Sequence, residues 1–415
     1  MTTRSYFVTT ARGLPPLLAK ELEGLGCRKV RSEPGGCRVR GPLSLGYRIC
    51  LWSRLANRVL MHVADIAVHD EEALYKGIAE LPWEDHIAPG QTLAVDYVAQ
   101  RAAVAHSQFG AQRTKDGIVD RLRDKTGERP SVDLESPDVR INVFARGAGC
   151  SVSVDLAGDS LHRRGWRAHA GLAPVKETTA AAMLLHAGWP ELAKSGAAFV
   201  DPMAGAGTFV LEALTIAADI APGIKRERFG FHGWRGHDSE LWATIVEDAR
   251  TRAEAGLAGL TNVFVAADTE PTVIAIAEQN ARDAGWAEKI TFEVRGLDDW
   301  KEAPAEHGLL ATNPPYGHRL GGPVGARKTA GELGRCLTRV FGGWRANILL
   351  GDERLVHVLG TTPTDVRPLD SGNIETVAVT LDLGKAEPQA ELAKAFANRV
   401  KKNRRKLSAW LSVKR

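Results

Sequence analysis

Hydrophobic and polar positions divide the chain into two kinds of pattern. Up to about residue 158, short alternating runs are mixed with amphipathic stretches. Tyr6-Phe-Val-Thr9 reads as a short strand, and Leu14 to Leu25 as an amphipathic helix whose prolines fall in the tolerant first turn. Arg38-Val-Arg40 reads as a second strand after Pro34-Gly-Gly. Leu43 to Leu55 has helical spacing, Val59 to Val68 reads as strand, and Glu71 to Glu80 as helix. Thr92 to Val98 alternates as a strand does, and Ser107 to Lys125 predicts a long helix. Val139-Arg-Ile-Asn-Val-Phe144 and Cys150-Ser-Val-Ser-Val-Asp155 alternate with period two on either side of a glycine-containing turn, which predicts a hairpin.

From Pro174 onward the pattern changes. Short apolar runs (Ala197–Val200, Asn262–Ala267, Ile290–Val294, Leu309–Thr312, Asn347–Leu350, Thr376–Leu383) alternate with helical stretches (Val175–Ala187, Phe209–Ile220, Leu241–Leu257, Val273–Ala284, Gly331–Phe341). Strands alternating with helices predict a parallel, doubly wound α/β sheet, with ligands beyond the C-terminal strand ends. Asp201, Asp268 and Asn313 all fall at such ends, so one crevice can hold all three.

Composition narrows the class without choosing the chemistry. The chain has 415 residues, 44% hydrophobic and 25% charged, as expected of two or three globular domains. No apolar run reaches the roughly 20 residues of a membrane span. The N-terminus lacks a signal-peptide layout, and five scattered cysteines without a Cys-x-x-Cys fit reduced thiols in a cytoplasm and no metal site. Net charge is +4, but Leu392 to Arg415 contains nine Lys/Arg and no acid, so the remainder carries −5. A nucleic-acid surface on the main body must therefore be a local patch. The basic tail reads as a helix, either solvated or an RNA-binding arm.

Three further segments have two readings each. The helix from Ser107 carries Gln112, Arg113, Lys115, Arg121, Arg123 and Lys125 interleaved with Asp116, Asp120 and Asp124, which favours a solvated face over a nucleic-acid contact. Leu161-His-Arg-Arg-Gly-Trp-Arg167 suits either an RNA-contacting strand or a basic linker anchored by Trp166. Phe229-Gly-Phe-His-Gly-Trp234, within an insertion from Pro222 to Trp242, is more simply a satellite core than a base-stacking surface.

The chemistry concentrates in Asp201-Pro-Met-Ala-Gly-Ala-Gly-Thr208 and Asn313-Pro-Pro-Tyr316. A run closing on an acid, followed by Gly-x-Gly and a helix start, makes a tight turn with free N–H groups. Consecutive prolines stiffen the second loop and remove two donors, leaving Asn313 and the Pro314 carbonyl as acceptors. Together the two patterns resemble the S-adenosylmethionine-dependent amino-methyltransferases. That resemblance assigns cofactor binding to Asp201, Pro202, Ala204, Gly205, Gly207 and Thr208, with Asp268 on the ribose hydroxyls and Glu270 as the alternative acid. Asn313, Pro314, Pro315 and Tyr316 would hold and stack the methyl-accepting base.

The rest of the chain extends the likeness. Thr9-Thr-Ala-Arg-Gly-Leu14, Leu51-Trp-Ser-Arg-Leu55, Ser107-Gln-Phe-Gly-Ala-Gln112, Lys115-Asp-Gly-Ile-Val-Asp120, Leu161 to Arg167, Pro174-Val-Lys-Glu-Thr178 and the two loops resemble the bacterial 23S ribosomal RNA guanine-N2 methyltransferases. In that family this unit is the N-terminal half of a fused large-subunit enzyme. The basic tail resembles the opening of the second methyltransferase, whose catalytic half has no counterpart here. The resemblance implies a ferredoxin-like domain (residues 1–43), a THUMP RNA-binding domain (44–158), a linker (159–173), a Rossmann-like methyltransferase domain (174–384) and a basic tail (385–415). It implies S-adenosylmethionine as cofactor and 23S rRNA or a large-subunit precursor as partner. Thr178 joins the cofactor residues, and Arg113, Lys115, Arg163, Arg164 and Arg167 the RNA contacts. Where the family carries an acid for the cofactor adenine, this chain has Gly296, so Asp298 or Asp299 takes that place. A tRNA guanine, adenine in DNA, a glutamine side chain, or a non-catalytic role in ribosome assembly are the competing readings.

Overall fold

The computed structural model describes residues 2–167, 169, 175–315, 322–369 and 376–384. In the first half the elements are β1 (Arg4–Thr9), α1 (Pro15–Gly24), β2 (Arg28–Glu33), β3 (Gly36–Gly41), α2 (Leu43–Trp52), β4 (Arg58–Ala67), α3 (Glu71–Ala79), β5 (Thr92–Ala102), α4 (Ser107–Thr126), β6 (Ser131–Val132), β7 (Val139–Gly147) and β8 (Gly149–Asp155). They form one eight-stranded sheet in the order β2-β3-β1-β4-β8-β7-β5-β6. The hairpin expected over residues 139–155 is β7–β8, antiparallel with Ile141 opposite Val154. Strand β4 pairs with β1 on one side and β8 on the other, so the N-terminal strands β1 to β3 are continuous with the remainder of that sheet.

The second half contains α5 (Glu177–His186), α6 (Trp189–Lys194), β9 (Ala198–Asp201), α7 (Thr208–Ala217), α8 (Ser239–Ala258), β10 (Phe264–Asp268), α9 (Pro271–Ala284), β11 (Thr291–Val294), β12 (Gly308–Thr312), α10 (Gly322–Val340), β13 (Arg345–Leu350), β14 (Asp365–Pro368) and β15 (Val377–Asp382). Its sheet runs β11-β10-β9-β12-β13-β15-β14. The first five are parallel, and β15 enters antiparallel between β13 and β14. A wholly parallel sheet is thus corrected to a mixed one. Parallel strands need a crossover of a dozen or more residues, whereas β14 and β15 are joined by a short return and can pair antiparallel. The order changes direction at β9, whose neighbours β10 and β12 continue to opposite sides, so the crevice opens there.

The aromatic insertion packs inward. Phe229, Phe231 and Trp234 are buried, and Tyr47 of α2 lies 4.4 Å from Phe231 between ring centroids. The rings belong to the main core, which runs without a break from Tyr6 to Ala378, rather than to a satellite of it. The basic tail expected as a helix lies outside the described residues.

Candidate active site

The glycine loop is built by the end of β9. Asp201 is fully buried; its Oδ1 accepts from Thr312 Oγ1 at 2.7 Å and from the Met203 N–H at 3.2 Å. Its Oδ2 is buried without a partner. Burial pushes the Asp201 carboxyl up to about 7, against the opposing effect of these two hydrogen bonds. Gly205 and Gly207 both take left-handed backbone, at φ +52° and +82°. Gly207 sits just before α7, where Thr208 begins the first turn. A Cβ on Gly205 would meet nothing within 4 Å, so the space beside its main chain is open. Here the loop can take a ligand against its backbone.

Two contacts tie this loop to its neighbours. Asp268, at the end of β10, accepts the Gly205 N–H at 3.2 Å on Oδ2 and the Glu270 N–H at 3.3 Å on Oδ1. Each carboxylate oxygen keeps a further lone pair for a hydroxyl. Asp268 thus braces the glycine loop and the turn before α9 while keeping acceptor capacity toward the crevice. On the other side, the Thr312–Asp201 bond brings the end of β12 against the end of β9. Asn313 follows directly, and its Oδ1 is buried without a partner among the described residues. A buried acceptor left unpaired costs about 1–3 kcal/mol, so this oxygen is poised for a donor. Pro314 is buried and Pro315 half-buried beside it, while Tyr316 lies outside the described residues.

The remaining expected cofactor residues separate. Pro202, Ala204 and Thr208 are buried within the loop, and Thr178 is buried in the first turn of α5. Asp298 is 77% exposed on its side chain, whereas Asp299 is already engaged, accepting the Gly296 N–H at 3.1 Å. Asp298 also faces Arg339 at 3.9 Å, and both acids keep lone pairs for a further donor.

Among the expected RNA contacts, Arg164 needs correction. Its side chain is 1% exposed and donates to Glu212 Oε1 at 3.0 Å and to the Arg54 carbonyl at 2.6 Å. A guanidinium so enclosed cannot reach a phosphate; the segment is the anchored linker, with Trp166 also buried. Arg167 is largely covered too, paired with Glu177 at 3.1 Å and donating to Thr208 Oγ1 at 3.1 Å. Arg163, 68% exposed, faces solvent. Arg113 pairs with Glu72 and lies over the Tyr75 ring, and Lys115 pairs with Asp116, which favours the solvated-face reading of α4.

Sequence reasoning missed Asn280. It is fully buried on α9, and its amide donates to the Ala206 carbonyl at 3.1 Å and the His169 carbonyl at 3.0 Å, bracing the glycine loop from behind. Its signal was a polar residue on the apolar face formed by Ile274, Ala277, Ala281 and Ala284. Among the described residues no group of His, Cys, Asp or Glu could hold a metal ion, and no helix is long and apolar enough to cross a membrane.

A glycine cradle and an acceptor-rich proline loop on adjacent parallel strands, in a sheet with one inserted antiparallel strand, define the Rossmann-like methyltransferase class. Within that class the profile described as "RMKL-like, methyltransferase domain" matches residues 164–380, and the chain belongs to this family. A THUMP domain matches residues 68–155 and an RlmL ferredoxin-like domain residues 5–60. The chain is 43% identical to the ribosomal RNA large subunit methyltransferase K/L of Syntrophotalea carbinolica over 98% of its own length and 58% of that protein's. It thus spans under two thirds of the curated relatives it matches. Among solved structures, SMU.472, described as a methyltransferase complexed with SAH, superposes with TM-score 0.82 at 26% identity, covering 94% of this chain and 100% of that one. A Listeria monocytogenes protein described as an N6-adenine-specific DNA methylase gives 0.80 at 29% identity over 92% of this chain and 96% of its own.

Proposed function

We propose that the chain methylates the exocyclic N2 amino group of a guanine in 23S ribosomal RNA, using S-adenosylmethionine, and corresponds to the guanine-N2 half of the fused large-subunit enzyme. The observation that carries the reading is the buried Asn313 Oδ1, without a partner among the described residues and one residue from the Thr312–Asp201 bond that ties it to the glycine loop. The residues fit the cofactor: Gly205 opens its backbone to the crevice, Asp268 has free lone pairs for ribose hydroxyls, and Asp298 or Asp299 has lone pairs for an adenine amino group. Bound S-adenosylmethionine supplies a methyl group on a sulfonium, which leaves as a thioether.

The chain's own residues then have one task, to hold the amine. A guanine N2 lone pair is delocalised into the ring and is a poor nucleophile. Asn313 Oδ1 and the Pro314 carbonyl accept its two N–H groups and favour a more tetrahedral nitrogen. Tyr316 offers a face for the extruded base. The methyl carbon would exchange its bond to sulfur for one to the amine held by Asn313 and Pro314, and that nitrogen would then release one proton to water. No strong base is required, so alignment supplies most of the rate. The names of the relatives and the THUMP match support an RNA acceptor, and of the expected RNA contacts Arg163 is the exposed cation, while Arg113 and Lys115 are engaged with Glu72 and Asp116 on α4. The test is methyl incorporation into 23S rRNA, tRNA and DNA, followed by mapping of the product nucleoside. N2-methylguanine in 23S rRNA is expected. Methyladenine, or label confined to tRNA, contradicts the assignment.

A further inference from the structure

Helix α7 is apolar except at Thr208, Glu212 and Thr215, which are 4%, 0% and 1% exposed. Spacings of four and three put these polar groups on one face. A buried carboxylate is costly unless paired, and apolar residues would serve stability as well or better. This one is held by two arginines distant in the chain, one of them from the N-terminal domain. Arg164 of the linker donates to Glu212 Oε1 at 3.0 Å, and Arg54, from the loop after α2, reaches Oε2 at 3.4 Å. Arg54 also donates to Thr215 Oγ1 at 2.8 Å and to the Thr215 and Ile220 carbonyls at 2.9 and 2.7 Å, a cation at the helix C-terminus. Glu21 of α1 fixes the Arg54 loop in turn, accepting the Arg54 N–H at 2.7 Å and Ser53 Oγ at 2.5 Å. At the other end of the face, Arg167 holds Thr208, the residue that leaves the glycine loop.

We propose that Arg54 and Arg164, acting through Glu212, are positioning residues for methyl transfer: they fix the angle between the RNA-holding first half of the chain and the glycine loop. The base captured by one is thereby presented in line to the methyl group held by the other. The proposal rests on the methyl-transfer reading above. It explains why a charge lies where packing alone needs none: ion pairs with fixed donors select one geometry, while an apolar contact can slide.

The test uses the full chain with Glu212→Gln and, as a milder variant that leaves no uncompensated charge, Thr215→Val. Spin labels enter through Glu71→Cys on α3 and Glu247→Cys on α8, both exposed, since all five native cysteines are buried. The wild-type distance distribution is expected to be narrow and that of Glu212→Gln broad. The single-turnover rate at saturating RNA and S-adenosylmethionine is expected to fall by about tenfold or more, given the sensitivity of aligned reactions to small displacements. Affinities for S-adenosylhomocysteine and for RNA stay within about twofold, and Thr215→Val shifts in the same direction by less. An unchanged rate and distribution in folded variants overturns the proposal, as does a loss of S-adenosylhomocysteine affinity in step with the rate. A wild-type protein that gives a narrow distribution yet transfers no methyl group contradicts the methyl-transfer reading instead, and the distance comparison still decides the positioning claim.

Discussion

The two sheets handle their faces in opposite ways. In the first, β7 alternates buried and accessible residues along its length, and Phe144 stays 40% exposed. In the second, every residue of β9 and β12 is buried. A sheet covered on both faces can meet a ligand only at its strand ends, and there Asp201, Asp268 and Asn313 stand. A half-covered sheet offers area instead, which suits a large partner. On the proposed function, the chain separates a cofactor site at the strand ends, the deep one, from a broad RNA-facing surface, the shallow one.

The division is sharpened most by changes at the deep site. Gly207→Val forces a β-branched residue into φ +82°, with the Ala277 Cβ 3.3 Å from the new Cβ. Affinity for S-adenosylhomocysteine, measured by calorimetry, is expected to fall at least about tenfold, with a stability loss on the order of 1–3 kcal/mol. RNA retention on a filter should hold within about twofold; equal loss of both would mean the two sites are not separate.

A middle-sized effect concerns pH. Burial raises the Asp201 and Glu177 carboxyls to about 7, the latter even beside Arg167. Unfolded, such groups titrate near 4. Between about pH 4 and 7 the folded chain therefore holds protons that the unfolded chain has released, and stability declines as pH rises through that window. Urea midpoints at pH 5 and pH 8 should show Asp201→Asn and Glu177→Gln each flattening the decline, by roughly 1–3 kcal/mol. Parallel curves for wild type and variants would remove these carboxyls as its source. The smallest effect is at Arg163, exposed in the segment that follows the first sheet: Arg163→Ala should lower RNA affinity by under about 1 kcal/mol and reduce the salt dependence by about one ion, with the thermal midpoint unchanged. An unaltered salt slope would take Arg163 off the RNA path.

The fold was legible wherever burial imposed a period. The hairpin of β7 and β8, the helices α1, α3 and α4, and the five parallel strands all lie within a few residues of their expected places. Strand β2, Arg28-Lys-Val-Arg-Ser-Glu33, was missed because it is an edge strand rich in charge, with little apolar alternation to read. The insertion of β15 between β13 and β14 was also invisible, since pairing direction is set by connection and packing rather than by local pattern. At the candidate site, Gly205, Gly207, Asp268 and Asn313 could be placed at the strand ends because their motifs are local. Arg164 was misread because a cation looks alike on a surface and against a buried acid; its partner Glu212 lies forty-eight residues away. The one clue was Glu212 itself, a lone acid in an apolar helix. Because the core is continuous, removing residues 1–158 would strip part of it and leave Glu212 facing one fewer arginine, so point variants are the cleaner instrument.

Asn313→Ala tests the central claim most directly. The side chain is neither charged nor part of the glycine loop, so S-adenosylhomocysteine affinity by calorimetry should stay within about twofold of wild type. Methyl incorporation into 23S rRNA under single-turnover conditions should fall by at least about a hundredfold, the scale for removing a group that orients the reacting atom. Turnover at the wild-type rate with cofactor binding intact would contradict the role of Asn313 as the holder of the amine.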